Sequence, residues 1–242
     1  CHLYPLPEVN EDETTQLMLE LNKLYLMDCM EGMAQFSDNY FELAIVDPPY
    51  GINRAGQPET FTKNPKHKRK NHTVKEWDNN TPNKYYFTEL RRVSKNQIIW
   101  GANYYPEHLT GSMGWVYWDK GQELSMSDGE LAYTSFDRAL RRVKINRGQL
   151  MTEGGTTHPT QKPIKLYKWL LQNYAKPGDK ILDTHAGSCS SVIACIDGGF
   201  DWIAFEIDED YYKVALNRIN NHVKQGDIFN EKKQDYIQQV LI

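Results

Sequence analysis

With 242 residues, of which 40% are hydrophobic and 25% charged, the chain has the composition of one globular domain with a substantial core. Its formal net charge of −4 argues against a protein that binds nucleic acid over its whole surface. No apolar run is long enough to cross a membrane, so we expect no membrane partner, and four cysteines without a CxxC pair favour a reducing, cytoplasmic setting. We expect residues 1–242 to form a single domain.

The first predicted elements lead to an unusual tetrapeptide. Apolar runs predict strands at residues 24–27 and 41–46, and a helix at 29–36 lies between them. The second strand ends directly in Asp47-Pro48-Pro49-Tyr50. This position is the carboxyl end of a strand, where open α/β sheets bind their ligands.

Two segments lack regular periodicity. Residues 1–20 are polar and acidic, which is typical of an arm or a short edge element, and residues 51–81 form a long predicted loop. A loop of that length in a compact domain is usually functional or disordered. The remaining predicted strands lie at 97–100, 115–118, 132–136, 180–183 and 201–206. The remaining predicted helices lie at 82–94, 164–174 and 190–197, with a last helix ending near 221. We expect Thr160 or Gln161 to cap the helix at 164–174.

The tetrapeptide presents hydrogen-bond acceptors without donors. Asp47 supplies a carboxylate, and the two prolines lack N–H groups and hold the backbone extended. The Asp47 carboxylate and the Pro48 carbonyl can therefore accept hydrogen bonds from both N–H groups of one exocyclic amino group, while Tyr50 stacks on the heteroaromatic ring. The alternative is a Pro-rich turn that ends a strand, with Tyr50 packed on the surface.

Residues 180–206 have the pattern of a nucleoside-binding unit. A strand, a turn containing Gly187, a helix and a second strand ending in Glu206 follow one another. Gly187 lets a ligand approach the backbone, the helix offers free N–H groups, and Glu206 is placed to bind ribose hydroxyls. The alternative is an ordinary βαβ crossover in which Gly187 serves only for packing.

Basic residues are concentrated in two blocks that contain no acid, at residues 63–72 and 138–147. A basic run is most often a solvated face, but two such blocks in an acidic chain favour a localised surface for a polyanion. The candidate DNA-binding residues are Lys63, Lys66, Lys68, Arg69, Lys70, Arg138, Arg141, Arg142, Lys144 and Arg147.

Together these motifs resemble the beta group of amino DNA methyltransferases, which use S-adenosylmethionine (SAM). In that group a (D/S/N)PP(Y/F) motif precedes the glycine motif, as 47–50 precedes 183–188 here, and the resemblance covers about 23–221. It implies an α/β, Rossmann-like fold with a mixed, mostly parallel sheet, helices on both faces and a circularly permuted motif order. It also implies that Asp47, Pro48, Pro49 and Tyr50 are catalytic.

The resemblance further implies a set of cofactor-binding residues. Asp28 would contact the adenine of SAM, Thr160 and Lys162 would lie near its carboxylate, and Glu206 would bind its ribose. The full set is Asp28, Asp47, His158, Thr160, Lys162, Asp183, Thr184, Ala186, Gly187, Ser188, Glu206 and Ile207. No metal is expected, because the sulfonium is already an activated leaving group.

The glycine motif departs from the family's pattern at two positions. Cys189 stands where a second glycine is usual, and His185 replaces an aromatic residue. We expect His185 to be packed or hydrogen-bonded, not to act as a base. Cys189 is the one feature that favours a catalytically idle methyltransferase fold that serves as a DNA-binding subunit.

The resemblance implies transfer of a methyl group to the N6 amino group of a flipped adenine, because Asp47 at the first motif position goes mainly with adenine. N4 of cytosine is the alternative base. An RNA or a protein glutamine as acceptor is disfavoured, since the glutamine enzymes carry Asn at this position and the reverse motif order.

The expected partner is double-stranded DNA in a bacterial or phage-encoded system. Residues 138–157 are short for a target-recognition segment, so base reading is expected to be shared with the 51–81 loop or completed by a second subunit. A homodimer and a cognate restriction endonuclease are therefore open alternatives.

Overall fold

A computed structural model describes residues 19–52, 79–121, 127–146, 148–155, 157–158 and 160–240, with side chains as far as residue 226. The basic block at 63–72, Arg147, most of the predicted loop and nearly all of the predicted N-terminal arm lie outside the described residues. Among the described helices, none combines the length and apolar character needed to cross a lipid bilayer.

Eight described strands form one mixed sheet in the order β1-β8-β7-β2-β3-β5-β4-β6. The strands are β1 (Lys23–Leu26), β2 (Phe41–Val46), β3 (Ser94–Trp100), β4 (Trp115–Asp119), β5 (Gly129–Thr134), β6 (Arg141–Lys144), β7 (Lys180–Asp183) and β8 (Asp201–Glu206). Only β5 runs antiparallel to its neighbours, β3 and β4. The parallel strands β1, β8, β7, β2 and β3 therefore present their carboxyl ends at one edge of the sheet.

Helices cover both faces of this sheet. They are α1 (Cys29–Met33), α2 (Lys84–Val93), α3 (Gln149–Thr152), α4 (Ile164–Tyr174), α5 (Ser190–Gly198) and α6 (Glu209–Val240). Leu43 and Ile45 pack in the cluster that contains residues of α4, α5 and α6. Ala44 and Val46 pack on the other face, with α1 and α2. Because alternate residues of β2 enter opposite clusters, the strand is buried on both sides, as its continuous apolar run predicts. The predicted fold class is confirmed.

Several predicted boundaries hold and others are wrong. The strands at 41–46, 180–183 and 201–206 and the helix at 164–174 have the predicted bounds. The strand predicted at 132–136 begins and ends earlier, at Gly129–Thr134, and the last helix continues to Val240. The short strand β6 was not predicted, because three of its four residues are exposed and charged and only Val143 is buried.

The start of α4 is capped differently from the prediction. Neither Thr160 nor Gln161 caps the helix. Instead the carboxylate of Glu153 accepts hydrogen bonds from the backbone N–H groups of Ile164 (2.8 Å) and Lys165 (3.2 Å). A distant acid therefore satisfies the free donors of this helix end, which local spacing could not reveal.

Candidate functional site

A cavity of about 330 Å³ lies at the carboxyl ends of the parallel strands. Its volume is within the range of small-molecule sites in proteins. Most of the predicted catalytic and cofactor-binding residues line it, namely Asp28, Asp47, Pro49, His158, Thr160, Lys162, Thr184, Ala186, Gly187, Ser188, Glu206 and Ile207. Pro48, Tyr50 and Asp183 are not among the lining residues. Five segments that are separate in sequence therefore meet at one site.

The glycine turn between β7 and α5 is tied to the end of β8 by Glu206. One carboxylate oxygen of Glu206 accepts from the N–H of Gly187 (2.8 Å), and the other accepts from the N–H of Asp208 (2.9 Å). Burial raises the pKa of Glu206, and these backbone bonds oppose the effect. Gly187 itself has a φ of +48°, in the region that favours glycine. The acid thus fixes the turn while it faces the cavity.

Asp183 lies beneath this turn. Its carboxylate accepts from the N–H of His185 (3.0 Å) and from the hydroxyl of Ser191. Burial raises the pKa of Asp183 to about 7, against the opposing effect of these bonds. The structure therefore places Asp183 as a support of the turn.

His185 lines the cavity as an uncharged group. Its Nδ1 is 2.9 Å from the hydroxyl of Thr184, and its ring packs edge-on against Tyr86. Burial lowers the pKa of His185 to about 4, so the ring is neutral at pH 7. This is the packed and hydrogen-bonded role expected of it.

Asp28, His158 and Thr160 also line the cavity. Asp28 caps α1 by accepting from the N–H of Met30 (2.7 Å). Nδ1 of His158 is 3.1 Å from the hydroxyl of Thr160, and the His158 ring packs against Tyr211 with ring centroids 4.4 Å apart. The His158 ring lies over Gly187, where a Cβ atom would be 3.6 Å from it.

The carboxylate of Asp47 accepts hydrogen bonds from two side chains, those of Lys162 and Tyr50. The ammonium of Lys162 donates to Oδ2 (2.6 Å), and the hydroxyl of Tyr50 donates to Oδ1 (2.7 Å). Lys162 Nζ also donates to the Tyr50 oxygen (3.1 Å). The resemblance places Lys162 near the cofactor carboxylate; in the structure it lines the cavity, and its ammonium is bound to Asp47 and Tyr50.

Two charged residues of this site were missed by the sequence reasoning. Glu130 on β5 pairs with Lys162 (3.1 Å) and with Lys120 (2.9 Å), and both lysines are buried. Burial alone would raise the pKa of Glu130, but the two ammonium groups outweigh it and lower that pKa to about 2. The one signal in the sequence is weak, an acid directly before the apolar residues Leu131 and Ala132 of β5.

The ring of Tyr50 is stacked on a second aromatic residue. Tyr104 lies nearly parallel to it, with centroids 4.9 Å apart and an interplanar angle of 14°. Tyr104 is 42% exposed and follows β3 in a short 3-10 helix, Ala102–Tyr104. An aromatic surface therefore adjoins the Asp47 carboxylate.

The candidate DNA-binding residues of the described part of the chain fall into two groups. Arg141, Arg142 and Lys144 are exposed on β6, the strand at the edge of the sheet. Arg138 instead lies over the ring of Tyr174 at 4.7 Å and donates to the Asn173 carbonyl. The three β6 residues thus form a basic edge, while Arg138 has a packing role.

The cavity has acceptor groups that suit a nucleoside, and it adjoins the acceptor-rich segment Asp47-Pro48-Pro49-Tyr50. Glu206 and Asp28 face it as acceptors, and Met27, Phe205 and Ile207 add apolar surface. Among the described residues, no group of three or more His, Cys, Asp or Glu side chains is arranged to hold a metal ion.

A family model and curated relatives of this chain are all described as DNA methylases or methyltransferases. A family model described as DNA methylase matches residues 61–217. The DNA adenine methyltransferase YhdJ of Escherichia coli (strain K12) is 35% identical over 79 residues, which are 32% of this chain and 27% of that protein. The type II methyltransferase M1.MboII of Moraxella bovis is 22% identical over 263 residues, covering 82% of this chain and 96% of that protein. The chain thus matches less than a third of the length of YhdJ.

Solved structures share the fold. The PvuII DNA methyltransferase, described as cytosine-N4-specific, has a TM-score of 0.54 at 15% identity, covering 86% of this chain and 90% of that one. The M1.HpyAVI–SAM complex has a TM-score of 0.53 at 17% identity, covering 81% of this chain and 98% of that one. At these identities the likeness concerns the fold.

Proposed function

Since the chain belongs to the DNA methylase family, we propose that it transfers a methyl group from SAM to the N6 amino group of an adenine in double-stranded DNA. The observation that carries the proposal is the position of Asp47. Asp47 lines the same cavity as Glu206 and the glycine turn. This proximity supports an acceptor for an amino group beside a site for the nucleoside of SAM.

The residues of the cavity fit SAM. Glu206 would accept from its ribose hydroxyls, and Asp28 and the 63%-exposed Ile207 would hold its adenine. His158, Thr160 and the glycine turn would surround its methionine end. When bound, SAM supplies an activated methyl group on a sulfonium, which an amino nitrogen can accept without a metal ion.

The catalytic work assigned to the chain is positioning. Asp47 and the Pro48 carbonyl each accept a hydrogen bond from the target amino group, which localises the lone pair on its nitrogen. Tyr50 and Tyr104 provide aromatic surface for a base that has left the duplex. Rigid placement of this kind supplies several kcal/mol of a reaction barrier.

DNA is proposed to contact the basic edge of β6. Arg141, Arg142 and Lys144 are exposed there and belong to one of the two acid-free basic blocks. Lysine and arginine on one edge of an otherwise acidic chain suit a phosphate backbone, since that contact is electrostatic and independent of sequence. The bacterial relatives support a site of action in a bacterial cytoplasm.

The target base is either adenine, as proposed, or cytosine. Asp47 at the first position favours adenine, and YhdJ is described as an adenine methyltransferase, whereas the PvuII enzyme is described as cytosine-N4-specific. Duplex DNA should be incubated with the protein and SAM carrying a deuterated methyl group, digested to nucleosides and analysed by mass spectrometry. Label in N6-methyldeoxyadenosine is expected. Label in N4-methyldeoxycytidine would correct the base, and unlabelled DNA would overturn the function.

A further inference from the structure

The ammonium group of Lys162 has used all of its donors within the protein. Lys162 is 3% exposed, and its three N–H groups face three acceptors, Asp47 Oδ2 at 2.6 Å, the Tyr50 oxygen at 3.1 Å and Glu130 Oε2 at 3.1 Å. A lysine has three donors and no more. It could bind a ligand's carboxylate only by giving up one of these partners.

Glu130 links Lys162 to a second buried lysine. Its other oxygen, Oε1, is 2.9 Å from Nζ of Lys120, which is 5% exposed. The four charges alternate in the order Lys120, Glu130, Lys162, Asp47 and balance to zero. Buried charges are tolerated only when they are fully paired, so removing any one of them leaves its neighbour uncompensated.

We propose that Glu130 is a positioning residue that, together with Lys120, holds Lys162 on Asp47, and that Lys162 therefore orients Asp47 and does not bind the carboxylate of SAM. Lys162 and the Tyr50 hydroxyl fix one oxygen of Asp47 each, so the carboxylate cannot rotate. The remaining lone pairs of Asp47 serve the amino group in the cavity. The inference rests on the proposed function, since it assigns a role within the same reaction.

Glu130 also sets how strongly Lys162 engages Asp47. Glu130 and Asp47 share the ammonium of Lys162. Asp47 is therefore a stronger hydrogen-bond acceptor than it would be if Lys162 paired with it alone. Burial raises the pKa of Asp47, Lys162 opposes this, and the negative charge of Glu130 adds to the rise. The other titratable groups that interact with Asp47 are Tyr50, Tyr105, Tyr167 and Asp183.

Glu130→Gln is the decisive variant, because the amide keeps the shape of the side chain. Loss of the charge should slow single-turnover methyl transfer about tenfold or more, the usual effect of one charge-assisted hydrogen bond, while the Kd for SAM stays within about twofold. The acid limb of the rate profile should move to lower pH, since Asp47 loses a like charge. Transfer rates and a pH profile identical to wild type would overturn the proposal.

Asp197→Asn is the matched control. Asp197 also bridges two basic side chains, Lys168 and His222, both at 2.6 Å, but it does not line the cavity. Its substitution should change neither the rate nor the acid limb. Thermal unfolding of both variants shows whether they are folded.

Lys162→Met separates the two roles of the lysine. If Lys162 orients Asp47, transfer should fall about a hundredfold while the Kd for SAM by calorimetry stays within about threefold. A tenfold weaker Kd would mean that Lys162 binds the ligand, which overturns the inference.

A wild-type protein that transfers no methyl group would refute the proposed function instead of this inference. The inference is then decided by the pKa of Asp47, read from carbon-13 carboxyl signals in wild type and Glu130→Gln. A lower pKa in the variant supports it, and an unchanged pKa overturns it.

Discussion

The backbone of Gly101 lies directly against the aromatic ring of Tyr50. A Cβ atom built on Gly101 would lie 2.0 Å from Cε1 and 2.4 Å from Cδ1 of that ring, and Gly101 has a φ of +66°. Gly101 follows β3 and Tyr50 follows β2, the neighbouring parallel strand. The position of the tyrosine is therefore set by a residue with no side chain.

Gly101→Ala should displace Tyr50 and break its hydrogen bond to Asp47. We expect methyl transfer to fall by about tenfold or more, with a loss of about 1–3 kcal/mol in the free energy of unfolding. The Kd for SAM should be nearly unchanged. Gly111→Ala is the control, since a Cβ there meets nothing within 4 Å. Equal transfer by the two variants would show that Gly101 does not position Tyr50.

Cys189 adopts a backbone conformation that suits glycine. Its φ is +57°, at the position where the family pattern has a glycine. Both Cys189→Gly and Cys189→Ala remove the buried thiol, so their difference isolates the backbone. The Gly variant should be more stable than the Ala variant by about 1 kcal/mol in urea unfolding.

Ser190→Gly and Ser190→Ala are the control for the two substitutions of Cys189. Ser190 is the first residue of the helix α5, so Ala should be the more stable of the two there. If Cys189→Ala is as stable as Cys189→Gly, the positive φ carries no strain.

Asp183 should make the unliganded protein less stable as the pH rises from 4 to 7. The folded pKa is about 7 against an ordinary value of 3.8, so over this range the unfolded chain releases a proton that the folded protein retains. Unfolding is then favoured by on the order of 3 kcal/mol across the range. Asp183→Asn lacks this titration, so the stability of wild type relative to the variant should fall between pH 4 and 7. A difference that stays flat from pH 4 to 8 in urea titrations would contradict the burial argument.

The basic edge of β6 should contribute to DNA affinity through charge alone. In the double variant Arg141→Ala, Lys144→Ala, two phosphate contacts are lost, so the slope of log affinity against log salt should become less steep by about 2. Arg138→Ala should leave this slope unchanged and lower the thermal stability, because Arg138 packs on Tyr174.

Lys176→Ala is the matched surface control for the basic edge. Lys176 lies before β7, at the opposite end of the parallel strands from the cavity. A slope that does not differ between the double variant and this control would remove β6 from the DNA interface.

The features that could be predicted from the sequence are local. Asp47 and Glu206 each follow an apolar run directly, and a parallel sheet brings such strand ends to one edge, so their proximity follows from the pattern. The charged network could not be predicted in this way. Glu130 reaches Lys162 only because β5 runs antiparallel beside β3, and no local signal gives the order of strands in a sheet.

The strand β6, at the edge of the sheet, could not be predicted from the sequence either. Residues 141–144 contain one buried side chain, Val143, so the period-two signal of a strand is absent. Pairing with β4 through the backbone makes the strand, while its charges remain exposed. The exposed charges of Arg141, Arg142 and Lys144 prevented the prediction of the strand, and they also make it a candidate DNA contact.

Asp47→Ala tests most directly whether Asp47 accepts a hydrogen bond from the target amino group beside SAM. The variant should retain the wild-type Kd for SAM within about threefold in calorimetry, because Asp47 serves the acceptor base. Single-turnover methyl transfer to duplex DNA should fall by at least about a thousandfold, since both the acceptor and the anchor of Lys162 are lost. Transfer that persists at the wild-type rate, or SAM binding that is lost in step with transfer in a folded variant, would contradict this role.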